Sequence, residues 1–258
     1  MKKIRLGDVC YVYDGPHATP KKTESGPIYL GIDAITSDGK LNPAEFNFLS
    51  EKDYITWTKR VTPTYGDLVF SYEATLHRYA LIPKGFHGCL GRRLAVVRPK
   101  DDRINIRWLY YFFLSPEWTV FIKNNTVKGS TVNRISIEDF PNFEIPLIDR
   151  KKQDQIVAVL SAIDDKIDNN QSINDNLQQM AFTTYMHLFF KKRPNGKLAD
   201  IVVENIKSPI QVGEAKECKG DYPFFTSGDA ILRWNNPLVD GRNCFLNTGG
   251  KQKVKNLS

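Results

Sequence analysis

The sequence is poor in the residues that build reactive or cross-linked sites. Its 258 residues hold four cysteines, four histidines and three methionines. Cys10, Cys89, Cys218 and Cys244 stand far apart with no C-x-x-C pair. That spacing argues against a disulfide framework and a four-cysteine zinc site, and fits reduced thiols in a cytosol. His17, His77, His87 and His187 never pair at i, i+4, and His77 with His87-Gly88-Cys89 lacks a fourth ligand, so no metal is expected. No apolar run approaches the ~20 residues a membrane helix needs. Lys2, Lys3 and Arg5 are followed by no apolar signal region, so a soluble, cytoplasmic protein is expected.

Catalytic signatures are equally scarce. There is no G-x-x-x-x-G-K-[ST] phosphate loop. The Asn-Pro-Pro-aromatic tetrad of amino-methyltransferases is missing, because Asn42-Pro43-Ala44 and Asn236-Pro237-Leu238 fail at the third position. Glu214-Ala215-Lys216 resembles half of a nuclease E-x-K, yet no Pro-Asp precedes it and a polar loop is expected there. With no nucleophile, base or metal cluster, the chain reads as a binding protein and not an enzyme, and no cofactor is expected.

What is present is an ordinary globular composition with a basic bias. Hydrophobic residues make up 41% and charged residues 25%, enough apolar surface for a real core. The length exceeds one typical domain and falls short of two large ones. The net charge of +7 is concentrated. Between residues 59 and 100, Lys59, Arg60, Arg78, Lys84, Arg92, Arg93, Arg98 and Lys100 face only Asp67 and Glu73, a surplus of six. A local excess of that size favours a polyanionic partner.

Residues 4–100 read as short strands and turns. Runs such as Ile28-Tyr29-Leu30-Gly31-Ile32, Asp67-Leu68-Val69-Phe70-Ser71-Tyr72, Tyr79-Ala80-Leu81-Ile82 and Leu94-Ala95-Val96-Val97 are bounded by Gly and Pro and imply a mostly antiparallel sheet or partial barrel. The aromatic run Trp108-Leu109-Tyr110-Tyr111-Phe112-Phe113-Leu114 predicts a core helix, and Ser115-Pro116 a cap and first turn of a second one. Phe143-Glu144-Ile145-Pro146-Leu147 reads as a last strand ending at a proline. Asp149 then caps one long helix from about Lys151 to Phe190.

That helix carries the most regular pattern. Steps of four and three connect Ile156, Leu160, Ile163, Ile167, Asn170, Asn174, Leu177, Ala181, Thr184 and Leu188. A small domain cannot bury so long a stripe, so it demands a second long helix, with the asparagines fixing register at some cost in packing. Lys191-Lys192-Arg193-Pro194-Asn195-Gly196 ends the helix, with cations expected in its last turn. Afterwards the sequence repeats itself. Leu6-Gly7-Asp8-Val9 is echoed by Leu198-Ala199-Asp200-Ile201, and Pro27 to Ile35 aligns without a gap with Pro223 to Ile231. An incomplete second copy of the first domain is expected, with residues 251–258 lacking a strand pattern and frayed. The fold class is α+β, with a sheet-rich domain over 1–150, a coiled-coil-type helix over 151–192 and a partial repeat over 193–258.

In three features the chain resembles the specificity subunit of type I restriction–modification enzymes: the helix entry Ile145-Pro146-Leu147…Lys152-Gln153-Asp154-Gln155-Ile156, the run Leu160-Ser161-Ala162-Ile163-Asp164-Asp165-Lys166-Ile167-Asp168-Asn169-Asn170, and the repeated unit. Gly129-Ser130-Thr131 with Arg134-Ile135-Ser136, and Tyr222-Pro223-Phe224-Phe225-Thr226-Ser227-Gly228, resemble that family's target-recognition domains. The resemblance implies a non-catalytic subunit whose recognition domains each read half of a bipartite site in double-stranded DNA. Its helices would set the gap between halves and dock methyltransferase subunits, which bind S-adenosylmethionine, while a motor-nuclease subunit cuts. This chain departs by having one recognition domain, one helix and a fragment, which implies a half-length or truncated form whose helix seam is satisfied by a second copy. The alternative is a truncated scaffold that binds methyltransferase or another specificity subunit without reading a complete site.

DNA contacts are expected on the loops flanking the basic strands. Arg78, Arg92 and Arg93 carry the guanidinium fork that suits guanine O6/N7 or phosphate. Lys21, Lys22, Lys59, Arg60 and Lys84 suit phosphates. In the glycine loop, Lys128, Ser130, Thr131, Asn133 and Arg134 are the candidates for donating to phosphates or base edges.

Overall fold

The computed structural model describes residues 2–127, 132–193, 195–197, 200, 208–239, 241, 244–246 and 254–256. The chain divides into two compact units, Met1–Gln179 and Met180–Ser258. In the first, the elements run β1 (Lys3–Arg5), α1 (Leu6–Val9), β2 (Cys10–Asp14), β3 (Thr23–Leu30), β4 (Asn47–Phe48), α2 (Glu51–Trp57), β5 (Leu68–Ser71), β6 (Tyr79–Leu81), β7 (Gly88–Leu90), β8 (Leu94–Pro99), α3 (Ile106–Phe113), α4 (Pro116–Asn124) and β9 (Glu144–Pro146). Helix α5 (Arg150–Phe189) follows.

The central sheet has the order β2-β8-β5-β6 and is antiparallel throughout. Its inner strands are continuous apolar runs because both faces are covered. Leu68, Phe70, Ala95 and Val97 point into one core with Trp108, Phe113, Trp118 and Phe140. Val69, Leu94 and Val96 point the other way, against Leu30, Ile35 and Leu90. The period of two along each strand sorts them. A second sheet, β4-β3-β7, pairs β3 with β7 in parallel. Strands β1 and β9 pair antiparallel, Lys3 opposite Pro146, so the two ends of the first 146 residues meet.

The expected starts at Ser115 and Asp149 are observed, and Asn105 supplies a further cap beyond those expected. Asn105 caps α3 by accepting from the Arg107 and Trp108 amides, and Ser115 caps α4 by accepting from Trp118 N–H at 3.2 Å ahead of Pro116. The aromatic run is core: Trp108, Leu109, Tyr110 and Phe113 are buried, and buried Trp118 donates through Nε1 to the Tyr79 hydroxyl at 3.1 Å. Asp149 accepts from Lys151 N–H at 3.1 Å, starting α5. Forty residues at ~1.5 Å rise make α5 about 60 Å long.

Several expectations need correcting. Helix α5 ends at Phe189, so the Lys191–Arg193 cations lie beyond its last turn, where His187 is the basic residue present. In the second unit, Glu214-Ala215-Lys216 lies in α6 (Val212–Glu217) and not in a loop, because Gln211 and Glu214 form a capping box. That unit also holds β10 (Tyr222–Phe225), β11 (Ile231–Trp234), β12 (Cys244–Leu246) and β13 (Val254–Asn256). The last is a strand in the segment expected to fray, ordered by antiparallel pairing with β12. Of the two internal echoes, most of residues 198–201 lies outside the described residues. The other shares a strand followed by a turn, but β10 pairs with β11 whereas β3 pairs with β4 and β7.

Candidate nucleic-acid interface

At one end of the central sheet, β2 and β5 finish while β8 and β6 begin. The register places Asp14 opposite Ala95, Ser71 opposite Leu94 and Phe70 opposite Tyr79. The loops leaving this end are stitched together by backbone hydrogen bonds. Tyr72 N–H donates to Arg93 O at 3.1 Å, Ile135 N–H to Tyr72 O at 2.7 Å and Ala74 N–H to Asn133 O at 3.1 Å. The Tyr72 hydroxyl donates to Arg92 O at 3.0 Å, and burial pushes its pKa up to about 12. Gly15 N–H donates to Leu94 O, and a Cβ on Gly15 would stand 2.6 Å from Gly91 O, so only glycine permits this approach.

The site's cations differ in their freedom. Arg92 is exposed and, among the described residues, makes no ion pair. Arg93 is half-buried and held by Glu73, Nε to Oε1 at 3.1 Å. Asn133 and Arg134 are exposed, and the Arg134 backbone forms isolated antiparallel β-bridges with Glu73 and Val127. Arg60 joins the same end through Asp14 at 2.7 Å, with exposed Lys59 next to it in sequence. Lys21 and Lys22 are exposed on the segment between β2 and β3. Half-buried Arg78 lines an open polar hollow of about 440 Å³ with Asp33, Thr36, Asn42, Glu45 and Thr75. Lys128, Ser130 and Thr131 lie outside the described residues.

Two parts of the sequence reading change. Lys84 sits on the turn after β6 and leaves the opposite end of the sheet, because Leu81 pairs with Leu68 and Gly66 N–H donates to Ile82 O. The surplus of six overstates the free charge. Asp14, from outside the window, neutralises Arg60. Arg98 is structural, its Nε and Nη2 each 2.7 Å from the carboxylate of buried Asp67, whose hydrogen bonds raise its pKa.

Residues without a sequence signal also shape the site. Between β5 and β6, Ala74 (φ 66°) and His77 (φ 61°) both adopt the left-handed region, where non-glycine residues are strained. His77 Nδ1 is buried without a hydrogen-bond partner, and burial lowers the pKa of the ring. Along α5 the expected seam lies open. Ile156, Ile163, Ile167, Asn170, Asn174, Leu177, Ala181, Thr184 and Leu188 are exposed and Leu160 is half-buried. Gln153 and Val157, on a different face, are the buried ones.

Comparison with known proteins decides the family. The sequence pattern of the type I restriction modification DNA specificity domain matches residues 1–179. The chain belongs to this family. The crystal structure of a type-I restriction-modification S subunit from M. genitalium is similar in fold, with a TM-score of 0.52 and 17% identity, over 93% of this chain and 63% of that one. An HsdS subunit from Thermoanaerobacter tengcongensis is 26% identical over 65% of this chain and 38% of its own, with a TM-score of 0.45. A chain from work on complex assembly and conformational transition of the type I R-M system is 22% identical, TM-score 0.46, over 74% and 45%. The chain thus spans less than two thirds of each of these structures. No curated protein matches it. No helix among the described residues is long and apolar enough to cross a membrane.

Proposed function

We propose that the chain acts as a specificity subunit that reads one half of a bipartite DNA site and pairs through α5 with a second copy. The observation that carries this reading is the stitched set of loops at one sheet end, bearing Arg78, Arg92, Arg93, Asn133 and Arg134 on a rigid core. Guanidinium forks on such loops hydrogen-bond to base edges, while Lys21, Lys22 and Lys59 neutralise phosphates and Arg60 does so only by leaving Asp14. The open α5 seam supports the second copy, since two helices burying it would place two recognition units about a two-fold axis and read a split palindrome. The same helices would dock methyltransferase subunits, which supply methyl-transfer chemistry from S-adenosylmethionine, so the chain itself catalyses nothing.

A titration of the purified chain into fragmented genomic DNA tests this, read by fluorescence at several salt concentrations. Binding that weakens steeply with salt is expected, because counterions released from phosphates drive it. Salt-independent background binding overturns DNA reading and leaves the scaffold reading, which the pairing of Arg60 and Arg93 with carboxylates favours. Light scattering that finds a monomer at micromolar concentration overturns the dimer, and methyltransferase absent from the chain's native co-purification overturns the docking.

A further inference from the structure

Helix α5 is tied to the recognition unit at two separate places. We propose that the second tie is a positioning latch, in which Tyr111 and Lys40 grip Asp164 and Asp168 and so set the helix direction and the gap between half-sites. The inference rests on the DNA-reading and pairing assignment above. The first tie is Gln153, fully buried, whose Oε1 accepts from Asn105 N–H at 2.7 Å and whose Nε2 donates to Arg103 O at 2.9 Å and Ile148 O at 3.0 Å. The second comes eleven and fifteen residues later, about 16 and 22 Å along the axis. There the Tyr111 hydroxyl donates to Asp164 Oδ2 at 2.6 Å, and the Lys40 ammonium forms an ion pair with Asp168. The spacing of these three helix positions puts them on one face.

A rod held only over the two turns from Arg150 to Val157 at one end is steered less firmly than one gripped again farther along. The domain side of the latch is braced for this. Tyr111 lies on α3, whose Trp108, Leu109 and Phe113 are buried in the core. Lys40 ends a turn closed by Thr36, which accepts from Lys40 N–H at 2.9 Å and donates to Lys40 O at 3.0 Å. The Tyr110 hydroxyl, donating to Gly39 O at 3.0 Å, ties that turn to α3. Gly39 has φ 91°, and a Cβ there would collide with the same hydroxyl. Beyond Asp168 every helix residue through Tyr185 is exposed, so the way the helix leaves the recognition unit bears directly on the direction of this stretch. Some 20 residues of helix lie beyond Asp168 and span about 30 Å, so a tilt of ~10° moves the tip about 5 Å, more than one base-pair rise of ~3.4 Å.

The test uses the full chain with Tyr111→Phe and Lys40→Met, and independently Asp164→Ala with Asp168→Ala, changes on the helix surface that leave the domain core untouched. Electron–electron resonance between nitroxides on Lys52→Cys and Asn176→Cys, with Cys218 and Cys244 replaced by Ser and labelled chain diluted in unlabelled chain, reads the spread of helix directions. Both variants are expected to broaden the distance distribution at least two-fold, with helical circular dichroism retained. An unchanged width in both overturns the latch. Selection from a randomised duplex library then reads the accepted gap: one length for the unmodified chain, several for the variants, with the half-site sequences the same. A single gap in the variants despite a broadened distribution overturns the specificity role. Recovery of no bipartite site by the unmodified chain counts against the proposed function, while the resonance widths still decide the latch.

Discussion

At the scale of single residues, burial separates structural groups from available ones. Asp67 is 2% exposed and satisfies Arg98 and Thr64 N–H at once, so its removal strands a guanidinium against the sheet. Asp67→Ala is expected to destabilise the first unit by about 2–4 kcal/mol, the lower end reflecting the partial exposure of Arg98. Urea unfolding followed by tryptophan fluorescence measures it, and a loss under about 1 kcal/mol would contradict the buried pair. The thiols divide in the same way. Burial pushes Cys10 and Cys89 up to about 12, so almost none of either is thiolate near neutral pH, whereas Cys218 is only half-buried. Iodoacetamide on the folded chain at pH 8 is expected to alkylate Cys218 while sparing Cys10 and Cys89, as peptide mass mapping would read.

At the scale of elements, α5 shows two faces with opposite fates. Its docking face begins with Gln153, which satisfies one backbone N–H and two carbonyls of the neighbouring segments. Gln153→Ala leaves those three groups unpaired and is expected to cost about 2–3 kcal/mol in denaturant unfolding. Its seam face carries exposed Ile163 and Ile167, at 52% and 55%. Ile163→Asp with Ile167→Asp is expected to convert the proposed dimer to monomer in light scattering while leaving the urea midpoint of the monomer unshifted. A dimer that survives both charges would remove the seam as its interface. The heptad step was legible in the sequence because it repeats at fixed spacing. The docking face was not, because a lone glutamine and two aspartates among many polar residues carry no period.

At the scale of the whole molecule, the expected behaviour follows from symmetry and charge. Exposed Lys21 and Lys22 are phosphate candidates, and a two-fold pair presents each of them twice. Lys21→Ala is therefore expected to flatten the log affinity against log salt slope by about two units in a dimer and about one in a monomer. Arg92→Ala is expected to weaken specific binding by roughly 1–3 kcal/mol per lost base contact. Its effect should exceed that of Arg93→Ala, because Glu73 already engages Arg93. Gel-shift titrations against a selected duplex measure both, and equal effects would contradict the difference in pairing.

Composition and periodicity were enough to define an α+β chain with a sheet-rich first part, capped aromatic helices and one long helix with an unburied stripe. These signals are local: strand alternation, Ser and Asp caps, and a seven-residue repeat are each written within a few turns of chain. The partners of the charges were decided by tertiary structure alone. Arg98 meets Asp67, Arg60 meets Asp14 and Tyr111 meets Asp164 across separations of 31, 46 and 53 residues. Antiparallel register brings Arg92 and Arg93 to one end of the sheet and sends Lys84 from the other, because strand direction, which no residue type announces, determines where each loop emerges.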